Sequence, residues 1–148
     1  MTVHALTYET ERLSIGPWHT WADRVPDMQL GEIVRTTLTD AVTAPLPPSW
    51  QGDYDEARAT AWIEARDAEC VSLLAIQRDT QAPVGLVLLF AESTTELRLG
   101  YLLREDAWGR GYASELIAGL VEACAAAGVQ RIQGGVAVDN AASARVLE

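Results

Sequence analysis

The chain has 148 residues, of which 49% are hydrophobic and 22% charged, and its formal net charge is −10. A length and composition of this kind predict one folded domain, over residues 1–148, with a sizeable apolar core. The acidic charge argues against a nucleic-acid partner, because phosphate binding needs a basic surface. It favours a cationic partner such as an amine or a basic peptide, with a merely solvated acidic surface as the alternative.

Nothing in the sequence indicates a membrane segment. The longest wholly apolar run, residues 84–91, is far shorter than the roughly 20 residues that span a bilayer. The N-terminal segment is acidic and has no long apolar core, so it does not resemble a secretion signal. Cys70 and Cys124 both lie in apolar patterns, which predicts buried thiols rather than a disulfide. We therefore expect a cytoplasmic protein.

The first predicted strand lies in the run ERLSIGPW, where Leu13 and Ile15 alternate with polar neighbours until a Gly-Pro pair breaks the pattern. Residues 19–42 are weakly helical, and Pro26 and Gly31 are the expected breaks. This segment predicts short helices rather than one long one.

A proline-rich stretch, residues 43–50, predicts a loop, because proline suits neither a helix interior nor a central strand. A helix should follow it, capped by Asp53 or Asp55. The expected apolar stripe of that helix is Ala57, Ala61, Trp62 and Ala65.

Three β-like runs with short connections come next, over residues 70–77, 82–93 and 95–103. Their spacing predicts consecutive antiparallel strands. Because side chains alternate along a strand, the third run has two distinct faces. One face carries Leu97, Leu99 and Tyr101, and the other carries Glu96, Arg98 and Gly100.

A helix is predicted over residues 110–127, ended by Gly128 as its C-terminal cap. Its expected apolar stripe is Leu116, Ile117, Leu120, Val121 and Cys124. A further strand over residues 131–138 and a last helix that begins near Asp139 or Asn140 complete the pattern. A strand, a helix and a strand at this spacing predict a parallel pair joined by a crossover.

Two glycines, Gly109 and Gly111, flank Arg110 where the predicted helix begins. A helix N-terminus offers unpaired N–H groups and partial positive charge, and glycine lets an anion approach closely, so the spacing suits a phosphate site. A plain strand-to-helix turn is the alternative. A P-loop is excluded because no lysine follows, and the dinucleotide fingerprint is excluded because Ser114 stands where its third glycine or alanine belongs.

Two segments, LGYLLREDAWGRGYASELIAGLVEACAAAGVQRI and VAVDNAASARVLE, resemble the GNAT superfamily of acetyl-CoA-dependent N-acyltransferases. They are most similar to the branch that acetylates the N-termini of ribosomal proteins, and TERLSIGPW resembles the first strand of that branch. The similarity is strong over residues 95–148 and weak over 9–18. It implies an α/β fold with a mixed, mostly antiparallel sheet flanked by helices, and acetyl-CoA as co-substrate without a metal.

The resemblance also implies the cofactor-binding residues. The family's pyrophosphate loop, Q/R-x-x-G-x-G/A, falls on Trp108, Gly109, Arg110, Gly111, Tyr112 and Ala113, with Trp108 in place of Gln or Arg. Backbone N–H groups from about Arg110 to Ser114 would hold the pyrophosphate. The strand end at Leu102, Leu103 and Arg104 would bind the pantetheine arm, which Asn140 would contact from its far side. Ser143 matches the family serine one turn after Asn140.

Acetyl transfer to an amine needs a base, because the amine must lose a proton before it attacks the thioester. Glu96, on the strand that leads to the loop, is the preferred candidate; the alternatives are Glu92, or a Glu96 that is merely an exposed charge paired with Arg98. A backbone N–H near Leu102 would stabilise the oxyanion. Many relatives use a tyrosine of the last helix as the acid, but Leu147 occupies that slot, so Ser143 or a water would substitute.

The acceptor side is less defined. Trp18, Trp21, Trp50 and Trp62 lie in the half of the chain where the superfamily builds its acceptor groove, and they either line that groove or pack in the core. No metal-ligand spacing is present in the sequence.

Relatives continue past RVLE with two more strands. We therefore expect a C-terminally short domain without its last hairpin, with a possible homodimer through the uncovered sheet edge. The predicted function is acetyl transfer from acetyl-CoA to a primary amine, with a protein N-terminus as one candidate. The alternatives are a non-catalytic acyl-CoA-binding module and an acetyltransferase for antibiotics or polyamines.

Overall fold

A computed structural model describes Val3 and residues 6–134, which form one six-stranded sheet with helices on both faces. The strands are β1 Tyr8–Glu9, β2 Leu13–Pro17, β3 Val71–Gln77, β4 Pro83–Ala91, β5 Glu96–Leu103 and β6 Arg131–Gly134. The helices are α1 Trp18–Ala22, α2 Leu30–Thr37, α3 Asp40–Thr43, α4 Glu56–Glu69 and α5 Tyr112–Ala126. Short 3-10 turns lie at Pro48–Trp50 and Glu105–Ala107.

The strands stand in the sheet in chain order, from β1 to β6. Every neighbouring pair is antiparallel except β5 and β6, which are parallel and are connected through α5. The predicted mixed, mostly antiparallel sheet is therefore confirmed, as are its three consecutive central strands and its parallel pair.

Alternation along the central strands divides the apolar side chains between two cores. Leu73 and Leu99 belong to the core that α5 covers, whereas Leu74 and Leu102 belong to the core under α1, α2 and α4. The prediction that Leu97, Leu99 and Tyr101 share one face is confirmed, since all three pack in the α5 core.

The weakly helical segment forms three short helices, and one of its two predicted breaks is wrong. Gly31 lies inside the first turn of α2, where a missing Cβ does little harm, and Pro26 lies in the turn between α1 and α2. The proline-rich loop is correct up to Pro47, and the chain then forms the 3-10 turn that buries Trp50.

Helix α4 begins where predicted, and Asp55 is its cap, because the Asp55 carboxylate accepts from the backbone N–H of Arg58 at 2.8 Å. Its predicted stripe is wrong except for Trp62, since the three alanines are exposed. The buried residues at helical spacing are Ala59, Trp62, Ile63 and Arg66.

Helix α5 buries Leu116, Ile117, Leu120 and Cys124 as predicted, whereas Val121 is half exposed. The helix starts at Tyr112 rather than Arg110, because Gly111 adopts a left-handed conformation. Gly128, also at positive φ, follows its end, and the N–H of Val129 returns to the carbonyl of Cys124, which confirms the predicted cap.

Both cysteines are free thiols, as predicted; Cys124 is fully buried, but Cys70 is only half-buried, so the prediction that both are buried is wrong for Cys70. Burial raises the pKa of Cys124 to about 11, so this thiol stays protonated at neutral pH. Across the described residues, no helix combines the length and the apolar character that crossing a bilayer requires. The predicted strand 131–138 is described only to Gly134, and the predicted last helix lies outside the described residues.

Candidate active site

The connection from β5 to α5 contains two glycines in left-handed conformations, Gly109 with φ 73° and Gly111 with φ 80°. Residues with a Cβ rarely adopt this conformation, so the chain needs glycine at both positions. A Cβ placed on Gly109 would meet no atom within 4 Å, and on Gly111 the nearest is Arg12 Nη2 at 3.5 Å. The outer side of this loop is therefore open.

The open loop leads directly into the N-terminus of α5. Gly111 is the N-cap, and no side chain among the described residues caps it. The N–H of Glu115 donates to the carbonyl of Gly111, so the N–H groups of Tyr112, Ala113 and Ser114 precede the first bond of the helix. Three free N–H groups and the positive end of a 15-residue helix together make a site for an anion.

Arg12, just before β2, holds this loop from behind. Its Nη1 donates to the carbonyl of Arg110 at 2.9 Å, and its guanidinium lies 4.3 Å from the centre of the Tyr112 ring. Its Nε forms an ion pair with Glu115 at 2.7 Å. One side chain thus contacts the loop carbonyl, the first helical residue and the first turn of α5.

Glu115 completes this network as its acceptor. Its carboxylate accepts from the hydroxyl of Thr10 and from the backbone N–H of Arg12, in addition to the Arg12 side chain. Burial alone would raise the pKa of Glu115, but the hydrogen bonds from Thr10 and Arg12 outweigh it and lower that pKa. Glu115 is therefore ionised at neutral pH, and we name Thr10, Arg12 and Glu115 the loop clamp.

The end of β5 offers backbone groups on two sides. Glu92 N donates to Glu96 O and Arg104 N donates to Val84 O, both at 2.9 Å, and the β4–β5 register between them is regular. Because alternate residues of an antiparallel ladder face the same neighbour, Leu102 bonds to β4. The N–H and C=O groups of Tyr101 and Leu103 point the other way.

The outer side of β5 is paired over only part of its length. In the described part of the chain, β6 pairs with β5 from Glu96 to Leu99 and no further. Beyond that point, Trp108 Nε1 donates to the carbonyl of Leu103 at 3.0 Å, while the Trp108 ring remains 48% exposed. Among the described residues, the N–H groups of Tyr101 and Leu103 are therefore not used by a neighbouring strand.

The two arginines of the predicted site have other contacts. Arg104 reaches α2, where its Nη1 donates to Thr36 Oγ1 at 2.7 Å and Thr37 Oγ1 at 3.2 Å. Arg110 folds back so that its Nε donates to the carbonyl of Asp106 at 3.1 Å. Arg104 therefore links the end of β5 to α2, and Arg110 stabilises the 3-10 turn.

Glu96 stands at the other end of β5. It lies seven positions before Leu103, which corresponds to roughly 23 Å along a strand. Arg98 pairs with Glu92 at 3.6 Å, so the alternative in which Glu96 pairs with Arg98 is wrong. Glu96 is half-buried and lies on the same face of β5 as Leu102.

Two further predicted residues, Asn140 and Ser143, lie outside the described residues. The loop clamp is the part of the site that sequence reasoning missed. The only sign of the loop clamp in the sequence is the run TER at residues 10–12. This run resembles part of a first strand, and it does not reveal the contacts of its side chains. Within residues 6–134, no group of three or more His, Cys, Asp or Glu side chains is arranged to hold a metal ion.

The chain matches known acetyltransferases at the level of a family model. Residues 12–148 match the model described as acetyltransferase (GNAT) domain. The chain therefore belongs to the GNAT family of acetyltransferases. No curated protein sequence matches it significantly.

Solved structures share the fold at low sequence identity. A GNAT-family acetyltransferase from Bacillus anthracis superimposes with TM-score 0.76 and 18% identity, over 96% of this chain and 80% of that one. The ribosomal L7/L12 α-N-protein acetyltransferase RimL, in complex with coenzyme A, gives TM-score 0.72 and 18% identity over 95% and 80%. RimJ from Mycobacterium smegmatis, in complex with a coenzyme A disulfide, gives 0.63 and 16% over 98% and 74%. At these identities the comparisons show a shared fold and nothing beyond it.

Proposed function

We propose that this chain is a single N-acetyltransferase domain that takes acetyl from acetyl-CoA and transfers it to a primary amine. The observation that carries the proposal is the loop at Gly109 and Gly111, open on its outer side and leading into three free N–H groups of α5. Unpaired N–H groups at a helix N-terminus suit an anion such as a pyrophosphate. Family membership supplies the reaction class.

The donor substrate supplies an acetyl group activated as a thioester. The N–H groups of Tyr112, Ala113 and Ser114 bind its pyrophosphate, and Gly109 and Gly111 allow the close approach. Its extended arm follows the side of β5 to which the N–H and C=O groups of Tyr101 and Leu103 point. Asn140 contacts that arm from the other side, as the family resemblance implies.

Glu96 acts as the general base in this proposal. Because Glu96 lies five positions before Tyr101, roughly 17 Å along β5, the proton that the ammonium loses reaches this carboxylate through a chain of waters. The N–H of Leu103 or Tyr101 stabilises the charge that develops on the carbonyl oxygen, in place of that of Leu102, which is used in the sheet. Ser143 returns a proton to the leaving thiolate.

The acceptor is a primary amine, and a protein N-terminus is the first class to test. One solved structure of the same fold, RimL, is described as a ribosomal L7/L12 α-N-protein acetyltransferase. The net charge of −10 favours a cationic acceptor of either protein or small-molecule type.

The test is thiol release from acetyl-CoA in the presence of a panel of N-terminal peptides, polyamines and aminoglycosides. We expect release that depends on one amine class, with mass spectrometry showing the acetylated amine. Calorimetric titration with coenzyme A runs in parallel. Binding of coenzyme A without release for any amine would overturn the catalytic proposal and leave a binding module, whereas no binding at all would overturn the assignment of the loop.

A further inference from the structure

Polar contacts join the end of β5 to the corner between α2 and α3. Arg104, the residue after β5, donates through Nη1 to Thr36 Oγ1 at 2.7 Å and to Thr37 Oγ1 at 3.2 Å. The next residue, Glu105, accepts a hydrogen bond from the hydroxyl of Thr39. We call these five residues the corner bridge. It begins directly after the strand end along which the proposed donor arm lies.

Arg104 holds the C-terminal end of α2. Its side chain is only 16% exposed, and its one ion pair among the described residues is with Asp106 at 3.9 Å, whose side chain is 78% exposed. The guanidinium instead meets the C-terminal half of α2, where it also donates to the carbonyl of Ile33 at 3.4 Å. A helix C-terminus carries partial negative charge, so it is a favourable partner for this cation. The end of α2 is therefore fixed to the end of β5.

Glu105 holds the start of α3. Thr39 is the N-cap of α3, but its side chain makes no hydrogen bond to that helix. Threonine at such a position commonly accepts from the N–H groups of its own helix. Here its hydroxyl donates to the carboxylate of Glu105, 66 residues further along the chain. The corner thus has an anchor on each side, and the two anchors are consecutive residues.

The acceptor amine of the proposed reaction has to approach β5 from one of its two faces. Helix α5 covers the face that carries Tyr101, since the two belong to one core. The opposite face carries Leu102 and the proposed base, Glu96. An amine that reaches a thioester on the outer side of β5 therefore comes from the side of the Leu102 face. Helix α2 lies on this face, and the corner bridge attaches it to the strand end.

From these contacts we infer that Arg104 and Glu105 are positioning residues, which hold the α2–α3 corner as a wall of the acceptor site. Neither side chain touches the reacting atoms. Acyl transfer requires the attacking nitrogen to lie about 3–3.5 Å from the thioester carbon, and a displacement of about 1 Å can lower the rate roughly a hundred-fold. An anchored wall prevents such a displacement. This inference rests on the proposed acetyl transfer and extends it to the acceptor.

Steady-state kinetics and calorimetry together test the positioning role. Arg104→Met keeps the apolar stem and removes the three hydrogen bonds of the guanidinium. The acceptor is the amine that supports most thiol release in the panel above, and a peptide with a free N-terminal serine is tried first. We expect kcat/KM for this amine to fall about ten-fold or more. The Kd for coenzyme A should stay within about three-fold, because the backbone N–H of Arg104 bonds to Val84 and not to the donor. Arg35→Met is the matched control, since Arg35 is an exposed arginine of α2 that pairs with Glu32, and it should alter neither value.

Two variants of Glu105 keep the inference testable if Arg104→Met fails to fold. Glu105→Gln retains a side-chain oxygen that accepts from Thr39, whereas Glu105→Ala has no acceptor there. We expect Glu105→Ala to lower kcat/KM for the amine about five-fold, and Glu105→Gln to stay within about two-fold of wild type. Unchanged kcat/KM in Arg104→Met or in Glu105→Ala, or an equal loss of coenzyme A affinity, overturns the inference. Wild-type protein that releases no thiol with any amine overturns the proposed function itself, and this inference with it.

Discussion

The two faces of the sheet hold polar groups in opposite ways. On the α5 face, the glycine loop presents backbone N–H groups, and side chains such as Arg12 and Glu115 stay behind it as supports. On the face of α1, α2 and α4, a charged side chain is itself buried, with the Arg66 guanidinium between two indoles. The backbone arrangement requires only glycines at set positions, whereas the buried arginine requires both rings to be in place around it.

The largest expected effect breaks the backbone site. Gly111→Asp introduces a Cβ at φ 80° and a negative charge beside the anion site, and should weaken coenzyme A binding by at least about a hundred-fold, or roughly 2.7 kcal/mol. Calorimetric titration measures this. Gly31→Asp is the control on the opposite face, since it adds the same charge at a glycine with no neighbour within 4 Å. Normal binding by Gly111→Asp removes the loop from the site.

A second change tests the role of Glu96 as the general base. Glu96→Gln should lower kcat/KM by about a hundred-fold at neutral pH, and much less at high pH where the amine is already neutral. The pH–rate profile gives the readout. Glu92→Gln is the matched control, because Glu92 is exposed and paired with Arg98. If the loss appears in Glu92→Gln instead, the base is Glu92.

The third prediction compares two helical glycines, one on each face. A Cβ on Gly119 of α5 would lie 2.7 Å from the Tyr8 ring, so Gly119→Ala should lower the free energy of unfolding by about 1–3 kcal/mol. Gly31→Ala in α2 meets no atom within 4 Å and should raise it by about 0.5 kcal/mol. Urea unfolding of both variants measures the pair. If both substitutions change the free energy of unfolding in the same direction, the described packing of β1 against α5 is wrong.

Removing the loop clamp should have a moderate effect. Arg12→Gln loses the contacts to the Arg110 carbonyl, to Tyr112 and to Glu115, which leaves the glycine loop less ordered. We expect coenzyme A affinity to fall about ten-fold, or roughly 1.4 kcal/mol, with the fold retained by circular dichroism. Arg35→Gln, which removes an exposed ion pair with Glu32, is the control and should bind normally. Equal affinities would show that the clamp does not position the loop.

The last prediction is a pH dependence. Since the fold lowers the pKa of Glu115 below its ordinary value of 4.5, the stabilisation it provides is complete above that pH and is lost as the pH falls through the lowered value. Wild type should exceed Glu115→Gln in free energy of unfolding by about 1–2 kcal/mol at pH 7, and by progressively less below pH 4.5. A difference that grows on acidification contradicts the loop clamp.

The α5 face could be predicted from the sequence more fully than the other. Alternation in β3 to β5 and the stripe Leu116, Ile117, Leu120 and Cys124 reflect burial of whole side chains, which local periodicity reports directly. The glycine loop was visible because a left-handed backbone leaves few residue choices. Arg12 was not, because its partners are about a hundred residues away and no local pattern records them.

The buried positions on the face of α1, α2 and α4 could not be predicted from local sequence patterns, for a physical reason. In α4 the sequence offered alanines as the apolar stripe, but the buried positions include Arg66, whose charge is accommodated by aromatic faces. A buried arginine looks like a solvent-facing residue until the rings around it are known. Val121 shows the reverse, an apolar residue that the helix leaves half exposed.

The loop clamp also has a consequence for the order of synthesis. Arg12 leaves the ribosome 98 residues before the Arg110 carbonyl that it holds, and Tyr8 leaves 108 residues before the carbonyl of Leu116. At typical elongation rates this is an interval of roughly 5–20 s. During that interval the N-terminal strand has none of its α5 contacts. The anion site can therefore form only after nearly the whole described chain has emerged.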